Sequence, residues 1–144
     1  MERQQQLEEE RLAAERAVQL QAEAVEREKM MAMNRFLNES VYFDFDEATL
    51  DDMAQELLRQ KAMWLQDNPD AGAIIEGHCD ERGTNAYNLA LGERRAESVK
   101  TFLMDLGVSD VRMTTISYGE EKPVDMGQYE ESWAKNRRAA FVLE

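Results

Sequence analysis

The sequence predicts an α+β fold: a two-layer sandwich with helices on one face of a small mixed four-stranded sheet, preceded by an N-terminal helical arm. Three observations carry that prediction. Residues 1–35 contain no Gly, Pro, Ser, Thr or aromatic residue and consist almost wholly of strong helix formers. From Val41 onward, short β-branched and aromatic runs alternate with amphipathic stretches of helical period. Both long amphipathic stretches lie between strand-like segments, so at least some neighbouring strands must run parallel.

The arm, residues 1–35, holds eight Glu, five Arg and one Lys. Glu23 and Arg27 stand four apart in the better orientation for a helical ion pair. Its apolar positions are sparse: Leu7, Ala14, Val18, Val25 and Phe36 lie closer to an eleven-residue repeat than to heptads. Lys29 falls where the next apolar residue is due. A solvated charged spacer is the reading this supports, and a coiled coil that sets oligomeric state is the alternative. Met30, Met31 and Met33 read as flexible packing at the junction.

Residues 36–144 read as the folded domain. Val41 to Phe45 alternates and predicts a first strand. Thr49, with Asp52 three residues on, predicts an N-cap and an acidic first turn. Leu50, Met53, Leu57, Leu58, Ala62 and Leu65 follow at helical spacing, and Asn68-Pro69 ends that helix. Ala73-Ile74-Ile75 predicts a short buried strand, and a polar, glycine-punctuated loop runs from Gly77 to Asn85. A second helix carries Leu89, Ala96, Val99, Phe102, Leu103 and Leu106, with Gly107 as its terminating glycine. Val111–Tyr118 predicts a third strand, Glu130–Ala134 a short helix, and Arg138–Leu143 a fourth strand. The order is β-α-β-α-β-short α-β.

Charge narrows the function classes. The chain has 144 residues, 30 acidic and 17 basic, for a formal net charge of −13. Such a balance opposes general binding to nucleic-acid phosphates and opposes a polybasic membrane surface. Cys79 is the one cysteine and His78 the one histidine, which excludes an internal disulfide, a multi-cysteine metal site and a His-rich one. No apolar run approaches the ~20 residues that span a bilayer, and no signal peptide is visible. Any membrane attachment is therefore expected through an anchor outside this chain.

The polar loops are where chemistry is expected. Residues 77–95 gather Asp80, Glu81, Arg82, Glu93, Arg94 and Arg95, and Asn136-Arg137-Arg138 precedes the last strand. Carboxylates and guanidinium groups together suit a zwitterion or an anion: the carboxylate accepts from an ammonium group, and the Arg fork holds a carboxylate. On charge pattern alone, a solvated cluster of surface charges is the competing reading. His78 beside Asp80 reads as a hydrogen-bonded packing residue. Cys79 cannot readily act with His78, because neighbours on an extended segment point to opposite sides. Trp64 and Trp133 read as core or rim residues.

Several motifs resemble a known family. Gly77-His78-x-Asp80-x-x-Gly83, followed by Asn88-x-x-Leu91-Gly92-x-x-Arg95-Ala96-x-x-Val99, resembles the signature of the OmpA-like peptidoglycan-binding domain, which commonly has Ser where this chain has Gly92. The stretches 41–46, 77–84, 91–96, 117–123 and 136–139 are most similar to its peptidoglycan-associated lipoprotein (Pal) branch. The resemblance covers 41–144 and leaves out the arm.

It implies an OmpA-like sandwich and non-catalytic, cofactor-free and metal-free binding of peptidoglycan through meso-diaminopimelate in the stem peptide. It further implies tethering of the outer membrane to the cell wall from the periplasmic side in a Gram-negative bacterium, as in the Tol–Pal system, with a TolB-like periplasmic protein as partner. By position, Asp80 corresponds to the carboxylate that takes the ligand ammonium group and Arg95 to the Arg that holds its carboxylate. Asp46 and Arg82 correspond to further pocket residues. Asn88 and Gly83 correspond to a helix-start cap and a turn glycine, and Arg138 to a residue in the site or bracing its loop. A flagellar stator-like or other OmpA-family envelope protein is the alternative, because stator proteins carry a similar domain after a helical linker. A metal hydrolase built on Glu76, His78 and Asp80 is the rival from a different class.

Overall fold

The computed structural model describes residues 1–144, which divide into two units, 1–34 and 35–144. The first unit belongs to α1, Glu2–Asn38. Its side chains are almost all exposed, including Leu7, Leu12, Val18 and Leu20. Arg11 pairs with Glu8 at 2.7 Å and Glu15 at 3.1 Å, and Lys29 with Glu26 at 3.7 Å. Each such exposed pair contributes only a few tenths of a kcal/mol. The expected Glu23–Arg27 pair is not among them.

The second unit contains β1 (Val41–Tyr42), α2 (Asp52–Asp67), β2 (Ala73–His78), α3 (Asn85–Asp105), a 3-10 turn at Asp110–Arg112, β3 (Met113–Gly119), α4 (Glu130–Asn136) and β4 (Arg138–Leu143). The sheet order is β1-β4-β2-β3. β2 and β3 run parallel, joined by α3, while β4 runs antiparallel between β1 and β2. The last strand therefore separates the two strands that α2 connects.

Alternate strand residues build the core. Val41, Ala73, Ile75, Met113, Ala139 and Phe141 join Leu58, Ala62 and Leu65 of α2 and Ala96, Val99 and Leu103 of α3 in one buried cluster. The intervening Ile116 and Val142 remain exposed, as expected for a sheet covered on one face. Gly77 lets α3 approach β2 closely: a Cβ there would lie 1.7 Å from the carbonyl oxygen of Gly92. The Gly92 departure from the family's usual Ser fits this spot, since a Cβ on Gly92 would lie 2.3 Å from Ser117 Oγ.

Several boundaries differ from the sequence reading, among them the ends of α1 at Asn38 and α4 at Asn136, which run past the expected 35 and 134. β1 stops at Tyr42 rather than Phe45, and the chain turns at Phe45-Asp46, where Asp46 takes a left-handed φ of 58°. Asp51, not Thr49, caps α2: its side chain accepts from the Ala54 N–H at 2.8 Å. β2 runs three residues beyond Ile75, since Glu76, Gly77 and His78 pair with β3 and β4 on both sides. The 3-10 turn delays β3 from Val111 to Met113.

Candidate functional site

The polar end of the sheet is assembled by three segments that converge beside the start of α3: the loop after β1, the loop after β2, and the junction between α4 and β4. α3 begins where Thr84 accepts from the Tyr87 N–H at 3.1 Å. Just before it, Gly83 has φ +102°, a conformation suited to glycine, which turns the loop back over the helix. Beneath that turn lies a cavity of about 190 Å³. Asp80 and Arg82 line it from the loop after β2, Phe45 and Asp46 from the loop after β1, and Tyr87, Asn88, Leu91 and Arg95 from α3.

Asp80 is 4% exposed. Its Oδ1 accepts from the backbone N–H of Arg82 at 3.0 Å and from Arg82 Nε at 3.1 Å, while Oδ2 accepts from Arg82 Nη2 at 2.8 Å. Arg137 Nη1 stands 3.6 Å from the same Oδ2. Burial pushes the Asp80 carboxyl up, but the Arg82 hydrogen bonds and the charges of Arg82 and Arg137 outweigh it and hold the group below its ordinary value. Asp80 is therefore ionised at neutral pH.

Arg95 is 1% exposed. Its Nε donates to the Glu47 carbonyl at 2.8 Å, Nη1 to that of His78 at 2.9 Å and Nη2 to that of Asp44 at 3.1 Å. One guanidinium thus fastens the loop after β1 to the end of β2, and burial lowers its proton affinity. Three of its five N–H donors are used by these carbonyls, which leaves two for a ligand. Asp46 sits at the mouth and accepts from the Tyr87 hydroxyl.

With that geometry in place, similarity to known proteins becomes informative. The OmpA family matches residues 42–137. The chain belongs to the OmpA family. It is 47% identical over 107 residues to the peptidoglycan-associated lipoprotein of Brucella melitensis, covering 74% of this chain and 64% of that relative. It is 45% identical over 103 residues to the protein of that name from Haemophilus influenzae, covering 72% and 67%. The chain thus spans less than two thirds of the length of its Brucella relative. Among solved structures, the peptidoglycan-associated lipoprotein from Burkholderia pseudomallei superposes with a TM-score of 0.72 at 50% identity, over 74% of this chain and 91% of that one. The C-terminal domain of Helicobacter pylori MotB shares the fold, with a TM-score of 0.69 at 18% identity over 74% of this chain and 84% of that one.

Within this OmpA-family domain, Asp80, Arg95, Asp46, Arg82 and Asn88 all line the one cavity. Asn88 is not the helix cap that the motif suggested. Thr84 has that role, and buried Asn88 donates instead to the Arg82 carbonyl at 3.1 Å and Glu120 Oε1 at 3.2 Å, bracing the loop. Arg138 does not line the cavity. Its Nη2 donates to the Lys122 carbonyl at 3.3 Å, which makes it a brace for the neighbouring loop. Its neighbour Arg137 reaches Asp80 instead. Arg137 is the cap residue at the end of α4 and Arg138 the first residue of β4, so the two side chains leave different elements.

Phe45, Tyr87 and Leu91 line the cavity although the sequence reading does not name them as ligand residues, while Arg137, part of the expected charge cluster, reaches Asp80 from outside the lining. For Phe45 and Tyr87 a signal existed: each is an exposed aromatic beside a loop that carries charged candidates. The rival metal reading loses its geometry, because no three of the His, Cys, Asp and Glu side chains are placed to hold an ion. His78 is fully buried, 3.3 Å from Glu76 and stacked on Tyr118. Burial and the Arg138 charge lower its pKa to about 4 against an opposing contribution from Glu76, so it is neutral at pH 7. The Cys79 thiol donates to the Asn88 carbonyl at 3.2 Å and is pushed up by burial, the opposite of an activated nucleophile.

Proposed function

We propose that residues 36–144 bind peptidoglycan non-covalently, through the zwitterionic centre of meso-diaminopimelate in the stem peptide. The observation that carries this reading is the joining of two carboxylates, Asp46 and Asp80, with two guanidinium groups, Arg82 and Arg95, around one small cavity. An amino group and a carboxylate on one carbon match that pattern of charge. The unused Arg95 donors meet the ligand carboxylate, and the Asp80 and Asp46 carboxylates face its ammonium group. No bond to the wall is made or broken and no cofactor takes part.

The relatives named peptidoglycan-associated lipoprotein support the same reading. On it, the protein ties the outer membrane to the cell wall from the periplasmic side of a Gram-negative envelope, as a member of a Tol–Pal system with a TolB-like periplasmic partner. Residues 1–35 serve as a helical spacer, which at ~1.5 Å per residue gives a reach of about 50 Å.

The test is cosedimentation of the full chain with purified peptidoglycan of the diaminopimelate type and of the lysine type, side by side. Lysine lacks the second carboxylate, so the Arg95 donors would go unmatched and the lysine wall should bind at least about tenfold more weakly. Asp80→Asn, which keeps the shape and removes the charge, should lose a comparable factor on the diaminopimelate wall. Equal binding to both walls, or wild-type binding by Asp80→Asn, would overturn this assignment.

A further inference from the structure

Trp133 on α4 does not line the cavity, yet it touches two consecutive residues of the loop that does. Its Nε1–H donates to Glu81 Oε1 at 3.1 Å. Its ring lies 4.2 Å from the guanidinium carbon of Arg82, whose other neighbour is the ring of Phe45 at 3.9 Å. Arg82 is thus held between two aromatic rings that come from the loop after β1 and from α4.

A guanidinium group is flat, weakly hydrated and attracted to the π-face of Trp and Phe. Held between two such faces, it has little rotational freedom left. The edge carrying Nε and Nη2 then meets the Asp80 carboxylate in a bidentate pair. Arg82 is still about one third exposed, so the stacking adds to the Asp80 pair in keeping a long side chain in one rotamer. The same Nη2 lies 4.0 Å from Glu130 Oε2, while Glu130 Oε1 pairs more closely with Arg137, at 2.7 Å.

We propose that Trp133 is a positioning residue for the ligand site: its ring face, with that of Phe45, fixes the Arg82 guanidinium on Asp80 and so aims that carboxylate into the cavity. This deepens the peptidoglycan reading and rests on it for the identity of the ligand, but the clamp itself is a property of the ligand-free protein. The charged and titratable groups around Asp80 are Arg82 and Cys79 from its own loop, Arg95 from α3, Arg137 at the end of α4 and Glu130 at its start. Only Arg82 is held by Trp133, so loosening the clamp changes one neighbour and leaves the others in place.

The experiment uses the full chain in wild-type, Trp133→Leu, Trp133→Phe and Trp133→Ala forms. Leu keeps apolar bulk without a π-face, and Phe keeps the face without the Nε1–H. The first measurement is the titration of the Asp80 carboxyl by NMR without ligand. The second is cosedimentation with diaminopimelate-type peptidoglycan from about pH 2.5 to pH 7, which spans the lowered Asp80 carboxyl. Trp133→Leu and Trp133→Ala should raise the Asp80 titration midpoint by about half a pH unit or more. They should move the acid limb of wall binding upward with it and weaken binding at neutral pH about three- to tenfold. Trp133→Phe should stay within about twofold of wild type on both measurements.

An unmoved Asp80 midpoint in a folded Trp133→Leu protein would overturn the inference. So would a Trp133→Phe protein as impaired as Trp133→Leu, because the Glu81 hydrogen bond would then be what matters. A shifted midpoint in a protein whose wild type ignores both wall types would leave the clamp standing and remove the peptidoglycan reading.

Discussion

Arg95→Ala is expected to damage the fold as well as ligand binding, and the structure allows the size of that damage to be worked out. The guanidinium gives hydrogen bonds of 2.8, 2.9 and 3.1 Å to the carbonyls of Glu47, His78 and Asp44. A hydrogen bond from a charged donor contributes about 1.5–3 kcal/mol, so three would sum to roughly 5–9 kcal/mol if nothing relaxed. The adjoining cavity admits water, which can reach some of the abandoned carbonyls. A loss of about 3–5 kcal/mol follows, a large part of the 5–15 kcal/mol typical of a domain. The assay is urea unfolding of the full chain by far-UV circular dichroism, with exposed Arg94→Ala as the control. A shifted midpoint at unchanged slope is the expected signature. A loss below about 1 kcal/mol, no larger than that of Arg94→Ala, would refute the view that Arg95 fastens the two loops together. Loss of wall binding by Arg95→Ala alone is therefore no measure of a ligand contact, whereas Asp80→Asn is the cleaner probe.

Other expectations follow from the same geometry. His78 has a folded pKa near 4 against 6.5 ordinarily, so the unfolded chain binds the extra proton between those values. Stability should be full above pH 6.5 and fall as pH drops toward 4, and His78→Gln should flatten that part of the urea-midpoint profile. Asp80 acts in the same direction at lower pH: its lowered carboxyl contributes stability above the ordinary carboxylate range that is lost as pH falls through its folded value, a slope that Asp80→Asn should remove. Gly77→Ala places a Cβ 1.7 Å from the Gly92 carbonyl oxygen and must push α3 off the sheet. It should cost about 3 kcal/mol or more in unfolding free energy, and a near-neutral effect would show that the helix shifts freely.

The fold was legible because its long elements have strong periods. The apolar spacing through Leu58, Ala62 and Leu65 and through Ala96, Val99 and Leu103 placed α2 and α3, and β4 was read to the residue. What failed was local. Gly77 looked like a loop residue because nothing in the sequence shows that a helix backbone lies against it. Thr49 and Asp51 are both good caps, and only tertiary contacts decide between them. In the site, charge pattern and family resemblance brought out Asp80, Arg95, Asp46 and Arg82, and all four line the cavity. Two things could not be read. One is that Arg95 serves three carbonyls as well as the cavity, since backbone acceptors leave no mark in a sequence. The other is which of the adjacent Arg137 and Arg138 reaches Asp80, because that depends on the exact residue at which α4 ends and β4 begins.

The boundary between arm and domain can be tested by two truncations that differ by four residues. Removal of 1–34 deletes a helix whose apolar side chains are exposed, so little buried area is lost and the unfolding free energy should change by less than about 1 kcal/mol. Removal of 1–38 also deletes Phe36, which is 3% exposed, stacks on Trp64 at 4.3 Å and meets Phe141 edge-on at 5.3 Å. Loss of such a ring costs about 3–5 kcal/mol. It also removes the carbonyl to which buried Lys61 donates. The Lys61 ammonium lies 4.2 Å from the Phe141 ring, and burial lowers its pKa to about 8 against the pull of Glu39. Because that value is depressed from 10.5, stability of the full chain should rise as pH increases from about 8 toward 10.5. The 1–38 truncation opens Lys61 to water and should abolish that rise, while the 1–34 truncation should keep it. Urea unfolding of the three forms at several protein concentrations decides the matter. A loss of several kcal/mol in the 1–34 truncation, or a midpoint of the full chain that climbs with concentration, would show that the arm associates with a second copy and is more than a spacer.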